Sequence, residues 1–158
     1  MATGEIVLSI EGGVSDSSSP ARRRFFNSKP SLGFNTSGTG YHHFTFRMPA
    51  DFASTLALII HYKAGTNTGA VVWGCDVMAA SEDELITTDS YDTANTVTDT
   101  VPATTGNLGI VSLSLTNADS VAAGDWVAIR VYRDGDNGAD TLANIADIVA
   151  LSLTYTTT

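Results

Sequence analysis

Trp126-Val127-Ala128-Ile129-Arg130-Val131-Tyr132-Arg133 is the stretch that decides the fold class. Val127, Ile129 and Val131 fall on one side of an extended chain, while Ala128, Arg130 and Tyr132 fall on the other. That two-residue period is what a half-buried strand requires. The same period recurs outward in both directions. Ala70–Ala79 places Val71, Trp73, Cys75 and Val77 in phase, and Leu56–Lys63 does so with Leu56, Leu58, Ile60 and Tyr62. Tyr41–Met48 sets Phe44, Phe46 and Met48 opposite His43, Thr45 and Arg47, and Pro49 stops it. Leu108–Leu115 aligns Val111, Leu113 and Leu115, and Thr-rich Thr93–Val101 reads as an edge strand. Glu5–Ile10 opens the chain with Ile6, Leu8 and Ile10 on one face. Ile145–Tyr155 closes it with Ile145, Val149, Leu151, Leu153 and Tyr155 together.

Eight such segments are linked by Gly, Asn, Asp and Pro turns, with room for single helical turns at Ser81 and at Asn117–Ala122 but for no long helix. Regular short strands at this spacing specify a sandwich or barrel, and the long connections favour a sandwich. The expected fold is all-β, an eight-stranded antiparallel jelly-roll sandwich. Residues 11–40 lack periodicity and contain Pro20, Pro30 and many Ser, Gly and Asn, so they read as an irregular arm. The division expected is an N-terminal strand plus basic-aromatic arm over 1–40 and a jelly-roll body over 41–158, one domain in all.

A chain of 158 residues buries enough surface to fold without staples. Its charged fraction, 16%, is low, and 21 Thr and 15 Ser take up the difference. Thr is β-branched and suits a pleated, half-exposed surface. The net charge of −9 is unevenly spread. Residues 1–50 carry Glu5, Glu11 and Asp16 against Arg22, Arg23, Arg24, Lys29 and Arg47, a balance of +2. Residues 51–158 set fourteen acids against Lys63, Arg130 and Arg133, a balance of −11. An acidic body repels phosphate, which argues against a nucleic-acid partner. The longest aliphatic run, Leu56–Ile60, is far short of a membrane span, and no signal peptide precedes the first strand, so a product of the host cytoplasm is expected. Cys75, the single cysteine, reads as a small core hydrophobe.

No local pattern supports catalysis. The chain has no Gly-x-Ser-x-Gly elbow, and the run Glu82-Asp83-Glu84 is more simply a solvated acidic turn than a glycosidase pair. His42 and His43 are adjacent in a strand and point to opposite faces, so at most one could join His61 at a metal. Asp134, Asp136 and Asp140, with Asn137, offer oxygen ligands for calcium in one loop. Gly138 stands where an EF-hand needs a ligand, however, and no closing Glu follows. No cofactor is therefore expected. Trp73 and Trp126 could stack on sugars, but both lie in alternating strands, which favours burial. The most informative cluster is Arg22-Arg23-Arg24-Phe25-Phe26, because arginine and aromatics are enriched at protein interfaces.

The stretch from Asn117 through Ala123-Gly124-Asp125, the strand Trp126–Arg133 and the polar loop to Asn137 resembles bacteriophage virion jelly rolls of the head-decoration (cement) or fibre-tip type. The resemblance implies a structural, non-enzymatic virion protein, a homotrimer attached to the major capsid protein or another virion subunit. Arg22, Arg23, Arg24, Phe25 and Phe26 would make the partner contact, and Tyr132 and Tyr155 could lie between subunits. The alternatives are a receptor- or glycan-binding tip and a carbohydrate-binding module.

Overall fold

The computed structural model describes residues 1–158 apart from Ser19. Among the described residues it contains eleven strands and no helix. They are β1 (Thr3–Leu8), β2 (Val14–Ser15), β3 (Arg22–Phe26), β4 (Lys29–Phe34), β5 (His42–Arg47), β6 (Phe52–Ala64), β7 (Ala70–Ala80), β8 (Asn95–Thr100), β9 (Leu108–Ser114), β10 (Trp126–Arg133) and β11 (Ala146–Thr157). The first sheet has the order β3-β4-β11-β6-β9, and β1 pairs β11 beyond β4. The second has the order β2-β5-β10-β7-β8, and every pairing is antiparallel. From β4 onward the chain changes sheet at every connection except β7 to β8. Strands β4-β11-β6-β9 thus face β5-β10-β7-β8, which is a jelly roll.

Eight strands do build the jelly roll, but they are not the eight that periodicity marks. Its first strand is β4, inside the segment expected to be an irregular arm, so the roll begins well before residue 41. β1 is an addition that fills the remaining edge of β11. Strand β4 escapes a periodicity search because it carries Pro30 and Gly33, both poor strand formers. It forms because Asn27 and Ser28 adopt φ of 46° and 63°, the left-handed pair that closes a two-residue hairpin onto β3. Pro30 lies beyond the part of β4 that pairs with β11, Leu32–Phe34, so its missing N–H leaves no gap there.

The inward faces match expectation in the central strands. Leu58, Ile60, Tyr62, Val71, Trp73, Cys75, Val77, Val127, Ile129 and Val131 are fully buried. The Trp73 ring meets Phe34 edge-on at 5.5 Å and Tyr62 at 5.6 Å between centroids. The last strand departs from simple alternation. A register shift between Ile148 and Ala150 inserts one residue, so Ile148 and Leu151, three apart, both point inward while Val149 is only half-buried. Tyr132 and Tyr155 are buried within the chain rather than left for a subunit contact, and each hydroxyl donates to a carboxylate, Asp76 at 3.3 Å and Asp51 at 3.0 Å.

Arg133 points into the interior at the end of β10, and its side chain is fully buried together with that of Asp140. Its Nε and Nη2 donate to the two Asp140 oxygens at 2.8 and 2.5 Å, and its remaining N–H groups reach the Leu142 and Asn144 carbonyls. One guanidinium thereby organises the whole 134–144 connection.

Candidate functional site

Strands β7 and β10 finish and begin at the same end of the sandwich, where Trp126 pairs with Ala80. Two connections rise there: the acidic segment 81–92 and the turn 117–125. Asn95 ties the second to the sheet, its Nδ2 donating to the Cys75 and Asn117 carbonyls while its Oδ1 accepts the Asn117 N–H. Asp119 and Ser120 both adopt left-handed φ, 52° and 54°, and Asp119 accepts the Ala79 N–H at 2.9 Å. The Asp125 carboxylate closes its own turn on the Ala122 N–H at 2.7 Å, and its backbone exchanges hydrogen bonds with Met48 through Gly124 and Asp125.

The acidic segment is held from the other side. Arg130 lies on the outer face of the second sheet, its guanidinium between the rings of Tyr41 at 4.2 Å and Tyr91 at 4.5 Å. Its Nε donates to Asp76 at 2.6 Å. The Tyr91 hydroxyl reaches His43 Nδ1 at 3.3 Å, and the Asp92 N–H donates to the Val77 carbonyl. Burial is the first cause that lowers the His43 pKa below its usual value. Stacking of this kind is worth about 0.5–2 kcal/mol per ring, so the Tyr91 ring anchors the segment without secondary structure while Tyr41 holds the guanidinium from its other side. The expected helical turn at Ser81 is an isolated turn, in which the Glu84 carboxylate accepts the Ser81 N–H at 2.5 Å. Asn117–Ala122 is likewise turn without helix.

Between the two connections lies an open cleft of about 470 Å³ lined by Ser81, Glu84, Leu85, Thr88, Asp89, Asp119, Ser120 and Asp125. Carboxylates and hydroxyls dominate its wall, and among the described residues no cation lines it. Trp126 follows Asp125 directly but does not line the cleft; its side chain, 37% exposed, lies on the outer face of the second sheet, with Arg47 paired beside it and held on the Gly124 carbonyl at 3.0 Å. Convergent oxygen atoms suit a polyhydroxylated ligand, with whose hydroxyls they exchange hydrogen bonds, and an exposed indole on the adjoining outer face can cover an apolar ring face.

Residues singled out from sequence are dispersed. Arg22, Arg23, Arg24 and Phe25 are exposed on edge strand β3, remote from this cleft, and Phe26 packs its ring under Lys63 Nζ at 5.4 Å. Arg24 and Lys63 both approach Asp147, at 3.6 and 3.5 Å. The calcium candidates do not converge, because each already has a partner. Asp140 is bound by Arg133 and the Val72 N–H, Asp136 accepts the Gly38 N–H, and Asp134 accepts the Asn137 amide. Among the described residues no three His, Cys, Asp or Glu side chains gather as a metal site. His42 is buried against Ser15, His43 faces Tyr91, and His61 lies on the opposite sheet. Cys75 is fully buried, and that burial pushes its thiol pKa up. The two tryptophans divide: Trp73 is core, whereas Trp126, expected to be buried, is exposed. Period-2 alternation does place Trp126 on the outer face, but only the tertiary structure shows that its end of that face is uncovered.

The sequence matches no protein-family model and no curated protein. Among solved structures the chain is similar to a family 35 carbohydrate binding module from Clostridium thermocellum, with a TM-score of 0.52 at 13% identity, over 95% of this chain and 97% of that one. It is also similar to the CBM22-1 xylan-binding domain from Paenibacillus barcinonensis, with a TM-score of 0.54 at 8% identity, over 95% of this chain and 89% of that one. An arabinose-bound α-L-arabinofuranosidase matches with a TM-score of 0.53 at 13% identity, 94% of this chain covering 24% of the enzyme. At these identities the likeness is one of fold: the chain is a jelly-roll β-sandwich of the kind found in carbohydrate-binding modules.

Proposed function

We propose that this domain is a non-catalytic carbohydrate-binding module that takes a glycan in the cleft between residues 81–89 and 119–125. The observation that carries the reading is the open cleft walled by Glu84, Asp89, Asp119, Asp125 and three hydroxyl side chains, with an exposed tryptophan, Trp126, next in sequence to Asp125. The carboxylates repel uronate and sulfate groups, so a neutral glycan is the expected class. The fold likeness to a carbohydrate binding module and a xylan-binding domain supports the same reading. Head decoration rests on the resemblance of 117–137 to virion jelly rolls, and the comparisons favour the carbohydrate-binding alternative over it.

The test is affinity electrophoresis and calorimetry of the intact protein on a panel of neutral and anionic polysaccharides. Retention by at least one neutral polymer is expected, and Trp126→Ala should weaken it while leaving the melting temperature unchanged. Removing one stacking aromatic should cost about 1–2 kcal/mol, or about five- to thirtyfold in affinity. Absence of retention across the panel, or retention that Trp126→Ala does not alter, would refute the proposal.

A further inference from the structure

Strand β3 is the outer edge of the first sheet and pairs only with β4. Charged residues on an edge strand are a common guard against edge-to-edge aggregation. That role accounts for Arg22, Arg23 and Arg24. It does not account for Phe25, which follows them on the same open strand and is 75% exposed. A second exposed pentapeptide stands elsewhere on the molecule. Glu82-Asp83-Glu84-Leu85-Ile86 is exposed throughout, with Leu85 at 66% and Ile86 at 50%. Read in the same direction, the first is three cations followed by two aromatics, and the second is three anions followed by two aliphatics. Within one chain they do not meet: β3 lies at the rim of one sheet, 82–86 leaves the end of β7 in the other, and none of the ion pairs among the described residues joins them.

We propose that the β3 hairpin of one copy docks on the 82–86 segment of a second copy, Arg23 and Phe25, which alternation puts on one face of β3, against the carboxylates and against Leu85 and Ile86, with Arg22 and Arg24 adding positive charge from the other face. The charge split makes the occupant a second copy. The chain concentrates Arg22, Arg23, Arg24 and Lys29 in one hairpin, while the rest of its surface is acidic and would otherwise repel its own kind. Arginine can bind a carboxylate through two hydrogen bonds, and the apolar residues keep the contact when salt screens the charges. Two different patches meet, so the contact is either reciprocal across a two-fold axis or head-to-tail, and in the second case it closes into a ring when the rotation permits. The homotrimer expected from sequence is one such ring. Each side already has competing partners: Arg23 also donates to the Glu11 carbonyl, Arg24 also faces Asp147, Glu84 also accepts the Ser81 N–H, and Glu84 and Leu85 line the cleft, so a glycan bound there competes with docking.

Charge reversal in trans tests this on the full chain. Arg22→Glu/Arg23→Glu leaves Arg24 on Asp147, and Glu82→Arg/Glu84→Arg leaves Asp83, whose φ of 71° an Asp tolerates. Sedimentation velocity at low salt should show the wild type associating. Each reversed protein alone should lose at least about tenfold in association constant, the amount that a few exposed ion pairs supply. An equimolar mixture of the two should recover association, because each now complements the other. If either reversed protein fails to fold by circular dichroism, Phe25→Ser and Leu85→Ser replace it and should each weaken wild-type association. A wild type that stays monomeric at every concentration overturns the proposal. So does association that neither reversal alters, or a mixture that stays dissociated.

Discussion

Replacing Asp140 with Asn removes one charge from the interior and nearly no volume. Both Asp140 oxygens receive N–H groups from Arg133, and both side chains are inaccessible, 0% and 1% exposed. Asn would still accept one bond, but its Nδ2 would point a donor at a guanidinium that is itself all donor. The Leu142 and Asn144 carbonyls would remain as partners without neutralising the charge. Breaking one side of a buried pair in this way costs about 3–5 kcal/mol. A domain of this size loses about 2–4 °C of melting temperature per kcal/mol, so Asp140→Asn should melt about 6–20 °C lower. The double replacement Arg133→Met/Asp140→Leu removes the charge problem altogether and should recover most of that loss. Differential scanning calorimetry of the three proteins in one buffer is the assay. A shift for Asp140→Asn of less than about 2 °C would mean that the buried pair is not what holds the 134–144 connection. A double mutant no more stable than the single would count equally against the argument.

Two further outcomes follow from buried groups. Ser15 Oγ donates to the Ala21 carbonyl at 2.7 Å, so it accepts from His42 Nδ1–H at 2.9 Å, which leaves the buried Nε2 as a bare lone pair. Burial, then the charges of Arg23 and His43, lower the His42 pKa to about 4 from 6.5. The folded pKa lies below the unfolded one, so this stability is present above pH 6.5 and drains away between there and about pH 4, by up to about 1.4 kcal/mol per pH unit; urea titrations across that range should show the slope, and His42→Phe should flatten it. Gly74 lies under the Tyr132 ring with no room for a Cβ, so Gly74→Ala should cost about 1–3 kcal/mol in the same urea assay, and no change would show that the ring moves freely.

The order of residues alone determines that this chain is a β-sandwich, and the reason is local. Alternation in β6, β7, β9 and β10 puts one face of each strand out of water whatever its neighbours are, so the inward sets Leu58/Ile60/Tyr62 and Val127/Ile129/Val131 are readable before any pairing is known. Only the tertiary structure could decide what depends on partners distant in sequence. Strand β4 has Pro30 and Gly33 against it and exists because a two-residue turn and the free edge of β11 accept it. Alternation fails in β11 because a bulge, fixed by the neighbouring β6, adds one residue. Asp140 offers one of several loop oxygens that could approach calcium, at a spacing that fits no EF-hand, and is the counter-ion of Arg133. The cleft was the least legible part. It joins residues 81–89 to 119–125 across the end of the roll, and Tyr41, Tyr91 and Arg130, three residues from separate parts of the chain, hold one of its walls. Charge and hydropathy are properties of a residue and its near neighbours and can be read along a line, whereas a site is a property of which loops the fold brings to the same end.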